Sequence, residues 1–271
     1  MKVQSGLRHT KKNYLPQWPT VLTALTALLS AIAAALSVYV SSRSNDQTIR
    51  LTEQGQVTQR YATAIELIGK RGDEFLQTRL GGIYALERLA RDSPADQPTI
   101  VEVLSAYVRT TAPVRTKGTC AGQPLSPVSD VQAAIAVLGR RNPAADGLAV
   151  VDLHNTCLGG VAIGGVGTRP NFARSDLRGV DMTGADVAIA DFDKADFRGA
   201  NLGGARFEGV QFAGAFFADS DLRDVTFVYS AVGRPFADAA FSQAKIDSDT
   251  WDSLIFYHAN LQGAERSGPN R

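Results

Sequence analysis

The sequence predicts an α+β protein in three parts: a lipid-spanning N-terminal helix, a small helical domain and a C-terminal four-sided β-coil. Three observations predict it. No charged residue occurs from Asn13 to Ser42. Apolar residues recur at helical spacing between residues 57 and 110. From Phe172 to Phe227 a bulky apolar residue then returns at every fifth position.

Composition sets the outer limits. The chain has 271 residues, 44% hydrophobic and 20% charged, with a net charge of +1. So average a composition excludes a fully disordered, collagen-like or disulfide-stapled chain. Near-neutral charge argues against a dedicated nucleic-acid binder, which needs a basic excess. Cys120 and Cys157 are the two cysteines; they cannot build a disulfide framework, although one bridge remains open to them.

Residues 1–17 form a basic tail carrying Lys2, Arg8, Lys11 and Lys12. Residues 18–41 are long and apolar enough to span a bilayer as a helix. Trp18 and Tyr39 mark its ends, where amphipathic rings favour the headgroup region. Ala33, Ala34 and Ala35 resemble a signal-peptide cleavage site, but the apolar run continues through Leu36, Val38 and Val40. An uncleaved anchor is therefore expected. The hydroxyls of Thr23, Thr26, Ser30 and Ser37 can bond the helix's own carbonyls. Flanking charge leans slightly towards a cytoplasmic N-terminus.

Residues 42–110 form the juxtamembrane helical domain, whose first stretch, 43–56, reads as a linker or a helix extension. Val57, Tyr61, Ala64, Ile65 and Ile68 make one apolar stripe; Leu76, Leu80, Ile83 and Ala90 a second; Ile100, Val103, Leu104, Tyr107 and Val108 a third. Pro94 ends the second helix and Pro98 suits the first turn of the third. Glu87 falls near the second stripe and needs a partner; Arg91, four residues on, is within reach. A general acid or base role for Glu87 is the competing reading. Residues 111–128, with Pro113, Pro124 and Pro127, form a linker. Ser129 or Asp130 caps a helix over 129–143, which covers the open end of the coil.

The stretch from Arg79 to Ser93 and the helix PTIVEVLSAYVR from Pro98 to Arg109 resemble a segment of actinobacterial membrane proteins. In that group the segment stands between a transmembrane region and a run of repeats. It brings no catalytic residue with it.

Residues 144–264 carry the period of five. Its bulky positions include Phe172, Leu177, Met182, Val187, Phe192, Phe197, Leu202, Phe207, Phe212, Phe217, Leu222 and Phe227. A small or β-branched residue stands two positions earlier, an acid often stands just before, and a glycine often stands two after. Neither a helix at 3.6 nor a strand at 2 explains a strict five. A coil with five-residue sides does: one large and one small residue point inward from each side, and four sides complete a turn. Leu153, Leu158 and Ile163 precede the run. Phe236, Phe241, Ile246, Trp251, Phe256 and Leu261 follow it after a one-residue deletion near Gly233, Arg234 and Pro235. Residues 265–271 form a polar tail. The pattern A-D-L/F-x-G is similar to the pentapeptide-repeat family, which implies a right-handed quadrilateral β-helix.

No catalytic, cofactor-binding or metal site is expected. His154 and Cys157 make an H-x-x-C pair without the second pair that zinc requires. The glycines at 159, 160, 164, 165 and 167 precede no helix that could complete a phosphate cradle. Some members of the resembled family mimic DNA and bind topoisomerases. Here ten acids meet six bases between residues 172 and 227, a weak imitation of a phosphate ladder. The expected function is a membrane-anchored, non-enzymatic protein-interaction or scaffold role. The bilayer is engaged through residues 18–41 and an unidentified protein through the coil faces. A DNA-mimicking modulator of a type II topoisomerase is one alternative. An enzyme of unknown class, with a polar pocket at the Gly164–Pro170 loop, is another. A single pass through the plasma membrane is expected, with the soluble part in the cytoplasm because no convincing disulfide pair stands out.

Overall fold

The computed structural model describes residues 18–114, 120, 129–165, 167, 169–229 and 234–268. The basic tail and most of the 111–128 linker lie outside them. The chain divides into two compact units, residues 1–56 and residues 57–271.

In the first unit the described residues are helical, within α1 (Trp18–Ile68). Between Leu25 and Arg43 this helix has a mean hydropathy of 1.8, long and apolar enough to cross a membrane or to serve as a signal sequence. Leu22, Leu29, Leu36 and Val40 are all exposed. The hydroxyls of Thr26, Ser30 and Ser37 donate to the carbonyls three residues back, at 3.0, 2.8 and 2.8 Å. Residues 43–56 continue the helix rather than forming a separate linker.

In the second unit, Ala64 and Ile68 of α1 are buried in one core with α2 (Leu76–Asp92), α3 (Gln97–Thr111) and α4 (Ser129–Arg140). Gly82 allows the closest approach: a β-carbon there would lie 2.7 Å from Ile68 and 2.9 Å from the Ala64 carbonyl. Asp130, fully buried, joins these elements. It accepts hydrogen bonds from Arg79 of α2 and, at 2.7 Å, from Tyr107 of α3. Besides binding the Val131 N–H at 2.9 Å, its carboxylate therefore ties three helices together.

The remainder is a β-helix solenoid. Strands β1 (Ala162–Ile163), β2 (Asp186–Ala188), β3 (Arg206–Glu208) and β4 (Thr226–Val228) form one parallel sheet in chain order. Three further rows of parallel bridges run beside it: Asp152–Asp176–Asp196–Phe216–Ala240, Cys157–Asp181–Asn201–Asp221–Lys245, and Asn171–Asp191–Gln211. Four rows at five-residue intervals follow directly from the repeat.

The inward side chains stack into ladders. Phe172, Phe192, Phe212 and Phe236 lie ring on ring at 5.3, 5.8 and 5.4 Å, and Phe197, Phe217 and Phe241 at 5.1 and 4.9 Å. Met182, Leu202, Leu222 and Ile246 are buried in the same way. The glycine of the repeat sits where the backbone turns left-handed: Gly179, Gly184 and Gly199 have φ of 62°, 64° and 68°. Ile189 occupies the same position with φ of 53°, an unfavourable conformation for a β-branched residue.

Two expected irregularities take a different form. Asp152 pairs with Asp176, and Phe216 with Ala240, each 24 residues on, whereas Asp176 pairs with Asp196. Each slip thus adds four residues to a turn, and the one near Gly233 is not the deletion of one residue expected there. A turn needs all four sides to keep its ladders in register. Trp251 and Phe256 are not rungs of the coil. They lie on α5 (Ser248–Phe256), whose N-terminus is capped by Asp247 accepting from the Asp249 and Thr250 N–H groups at 2.9 and 3.0 Å. Thr250 and Leu254 are the buried residues of that helix, and Phe256 is 71% exposed. The expected polar tail begins with a strand: β5 (Lys245–Ile246) pairs with β6 (Glu265–Arg266).

Candidate functional site

The repeat's acid fixes the backbone locally at five sides of the coil. Asp176, Asp181, Asp191, Asp196 and Asp221 each accept the backbone N–H two residues on, at 3.0–3.2 Å. This role is absent from the sequence reading, which treats the acids as solvated. Three of these acids also bind an arginine two residues away. Arg178 Nη2 lies 2.6 Å from Asp176 and Arg198 Nη2 2.6 Å from Asp196, and Arg223 pairs with Asp221. Arg206 likewise meets Glu208 at 2.7 Å.

These pairs move the carboxyl pKa values. The Arg178 hydrogen bonds hold Asp176 below the usual carboxylate range. At Asp196 and Asp221 burial pushes upward, but hydrogen bonds from Arg198 and Arg223 outweigh it and both carboxyls lie low. The outer faces therefore carry alternating charge at short range. A continuous acidic ladder does not form along these residues.

The N-terminal end of the coil is closed by the helical unit, one row at a time. Arg109 of α3 donates to the Asp152 carbonyl at 2.7 Å, and the Asp152 N–H reaches Ser105 Oγ at 3.3 Å. The segment after α3 pairs with the second row: the Cys157 N–H donates to the Ala112 carbonyl at 2.7 Å and the Val114 N–H to the Asn155 carbonyl at 2.9 Å. Gln132 of α4 grips the third row through both polar groups of Ala162, at 2.6 and 3.2 Å. On the fourth row the Asn171 N–H donates to the Gly139 carbonyl at 2.8 Å and Arg141 donates to the Asn171 carbonyl. Every row thus ends on a specific partner, which removes the edge that a β-coil otherwise exposes. The expected cap at 129–143 is one contributor among several.

Cys120 and Cys157 form a disulfide, with Cα atoms 5.5 Å apart and a sequence separation of 37. The Cys120 N–H also donates to the buried Asp181 carboxylate at 2.6 Å. Cys157 is thus not an ordinary coil residue. The premise that no convincing pair exists, which favours the cytoplasm in the sequence reading, does not hold. The pairing joins the linker to the first turn of the coil, a proximity that spacing alone does not reveal.

His154 Nδ1 lies 2.5 Å from Asp152, and the pair comes close to Asp176. These three residues are within reach of one metal ion. Both carboxylates already have cations, however: Arg109 stands 2.9 Å from Asp152, and Arg178 holds Asp176. The group reads as a surface charge network. Glu87 pairs with Arg140 of α4 at 3.0 Å, not with Arg91. Tertiary packing brings the C-terminal end of α4 against α2, and the pair links two helices instead of stabilising one. The Gly164–Pro170 loop, where the enzyme reading places a polar pocket, includes Val166 and Thr168, which lie outside the described residues.

The family model for pentapeptide repeats matches residues 190–227 in eight copies. Among solved structures, a pentapeptide repeat protein from the Arabidopsis thaliana thylakoid lumen is 23% identical over 38% of this chain and 70% of its own, with a TM-score of 0.23. QnrB1, a plasmid-mediated fluoroquinolone resistance protein, is 21% identical over 43% of this chain and 55% of its own, with a TM-score of 0.19. A pentapeptide repeat protein from Nostoc Pcc 7120 is 22% identical over 36% of this chain and 86% of its own, with a TM-score of 0.16. No curated protein matches the chain.

Proposed function

We propose that this protein, a member of the pentapeptide-repeat family, is a membrane-anchored, non-enzymatic scaffold whose coil faces dock a protein partner. The four rows are read as the sides of a right-handed quadrilateral. One observation carries the scaffold reading: the interior is filled by stacked rings, so the faces are held rigid and their Asp–Arg pairs are fixed in position. Alternating charge on a rigid face favours specific register with a partner over nonspecific attraction. The same pairs count against the topoisomerase reading, because guanidinium groups sit among the carboxylates that would imitate phosphates.

The anchor is supported by the exposed apolar surface of Leu25–Arg43, where Leu28, Leu29, Ile32 and Leu36 are all exposed. Lipid removes that surface from water. The Cys120–Cys157 bridge supports an oxidising compartment for the soluble part, since such bridges persist outside the cytosol. The slight basic excess before the anchor leans the same way, with the N-terminus inside. This reading replaces the cytoplasmic expectation.

Protease protection tests both statements. In intact cells the full chain is expected to stay with the membrane after alkaline carbonate washing, and its soluble part to be cut by external protease. Release by carbonate overturns the anchor; full protection of the soluble part overturns its placement. Photo-cross-linkers at Arg206 and Thr226, neighbours on one face, are expected to give one discrete adduct that the opposite face does not give. Equal labelling from every face overturns the docking role.

A further inference from the structure

A cavity of about 300 Å³ opens between α2, α3 and α4, away from the coil faces. That volume lies at the lower end of the small-molecule range. Its floor is apolar: Ile100, Val101, Leu104, Val137 and Leu138 line it and all are buried. Its rim carries Glu87, Arg91, Arg140 and Arg141.

Two of the three guanidinium groups are already neutralised. Arg141 binds Asp146 at 2.9 Å, and its remaining donors reach the Leu138 and Asn171 carbonyls. Arg140 binds Glu87 at 3.0 Å. Arg91 has no ion-pair partner among the described residues. Because α4 draws Glu87 to Arg140, the acid one helical turn before Arg91 is taken, and Asp92, the acid next to it, pairs with Arg88 at 3.6 Å. The rim is left with one positive charge in excess, over an apolar pocket.

We propose that this cavity binds a small monoanionic amphiphile, a carboxylate with a short apolar body. The carboxylate pairs with Arg91 and shares Arg140 with Glu87, while the alkyl portion covers Leu104 and Val137. A cation meets the same excess charge as repulsion. A neutral alcohol gains only the apolar contact.

The test uses the full chain in lipid nanodiscs and hexanoate as the probe. Binding is read by saturation-transfer NMR against empty nanodiscs, with hexanol and hexylammonium as comparisons. Hexanoate is expected to bind more tightly than either. Arg91→Gln is expected to weaken hexanoate about fivefold and leave hexanol unchanged, the scale of one partly exposed ion pair. Arg91→Lys is expected to retain most of the affinity. Glu87→Gln is expected to tighten hexanoate by freeing Arg140. The proposal is overturned if hexanoate does not bind, if hexylammonium or hexanol binds equally well, or if Arg91→Gln leaves hexanoate affinity unchanged. Arg91 is exposed on a helix, so its substitution leaves the fold intact.

Discussion

Replacing both cysteines, as Cys120→Ala and Cys157→Ala, tests the covalent cross-link between the linker and the first turn of the coil. The bridge closes a loop spanning 37 residues. Loop-closure entropy for that length gives about 4 kcal/mol of stabilisation, acting through the unfolded chain. Engineered losses in comparable domains fall at about 2–5 kcal/mol. The assay is urea unfolding of the full chain in nanodiscs, followed by near-UV circular dichroism. Oxidised wild type, reduced wild type and the double variant are compared. Reduced and doubly substituted proteins are expected to unfold together, both well below the oxidised form. A difference below about 1 kcal/mol refutes the reasoning, because it means that the loop is already constrained without the bridge. A loss in the double variant alone assigns the effect to the buried Cys157 side chain instead of the cross-link.

Three other outcomes follow from the coil. Phe192→Ala removes a ring that stacks on Phe172 and Phe212 and is 1% exposed; a loss of about 3–5 kcal/mol is expected in the same assay. Ile189→Gly relieves a φ of 53° at a half-exposed side chain and is expected to stabilise by about 0.5–1 kcal/mol, seen as a higher midpoint. Asp176, Asp196 and Asp221 have folded pKa values below their ordinary 3.8. Their contribution is present above 3.8 and is lost as pH falls below it through the folded values. Acid unfolding of the triple variant Arg178→Ala, Arg198→Ala, Arg223→Ala is expected to begin at higher pH than in wild type, and unchanged acid midpoints refute the pairing.

The period of five is legible because it is local. The bulky residue at every fifth position from Phe172 to Phe227 is buried as the repeat requires. The same rule fails at Trp251 and Phe256, which keep the spacing but lie on α5. There Asp247 offers its carboxylate to two N–H groups and starts a helix, a short-range competitor that periodicity does not weigh. The two slips keep their phase in either description, and only the pairings of Asp152 with Asp176 and of Phe216 with Ala240 show that residues are added.

The helical unit shows the opposite limit. Its stripes supply most of one core, where Leu86, expected on the flank of the second stripe, is fully buried, yet its charged residues find partners far along the chain. Arg79 meets Asp130 across 51 positions, and Glu87 meets Arg140 across 53. The sequence-based choice of Arg91 for Glu87 follows helix geometry, but packing against α4 outweighs it. His154 and its neighbours Asp152 and Asp176 are likewise joined only by the stacking of two turns.

The amino-acid order by itself determined the apolar helix, the helical stripes and the coil, because each repeats a burial pattern within one or two turns of its own element. Folding alone decided the disulfide, the four-fold closure of the coil's first edge and the surplus charge at Arg91. Those depend on which distant surfaces meet, and the free energy of meeting is shared among many contacts that no single segment encodes.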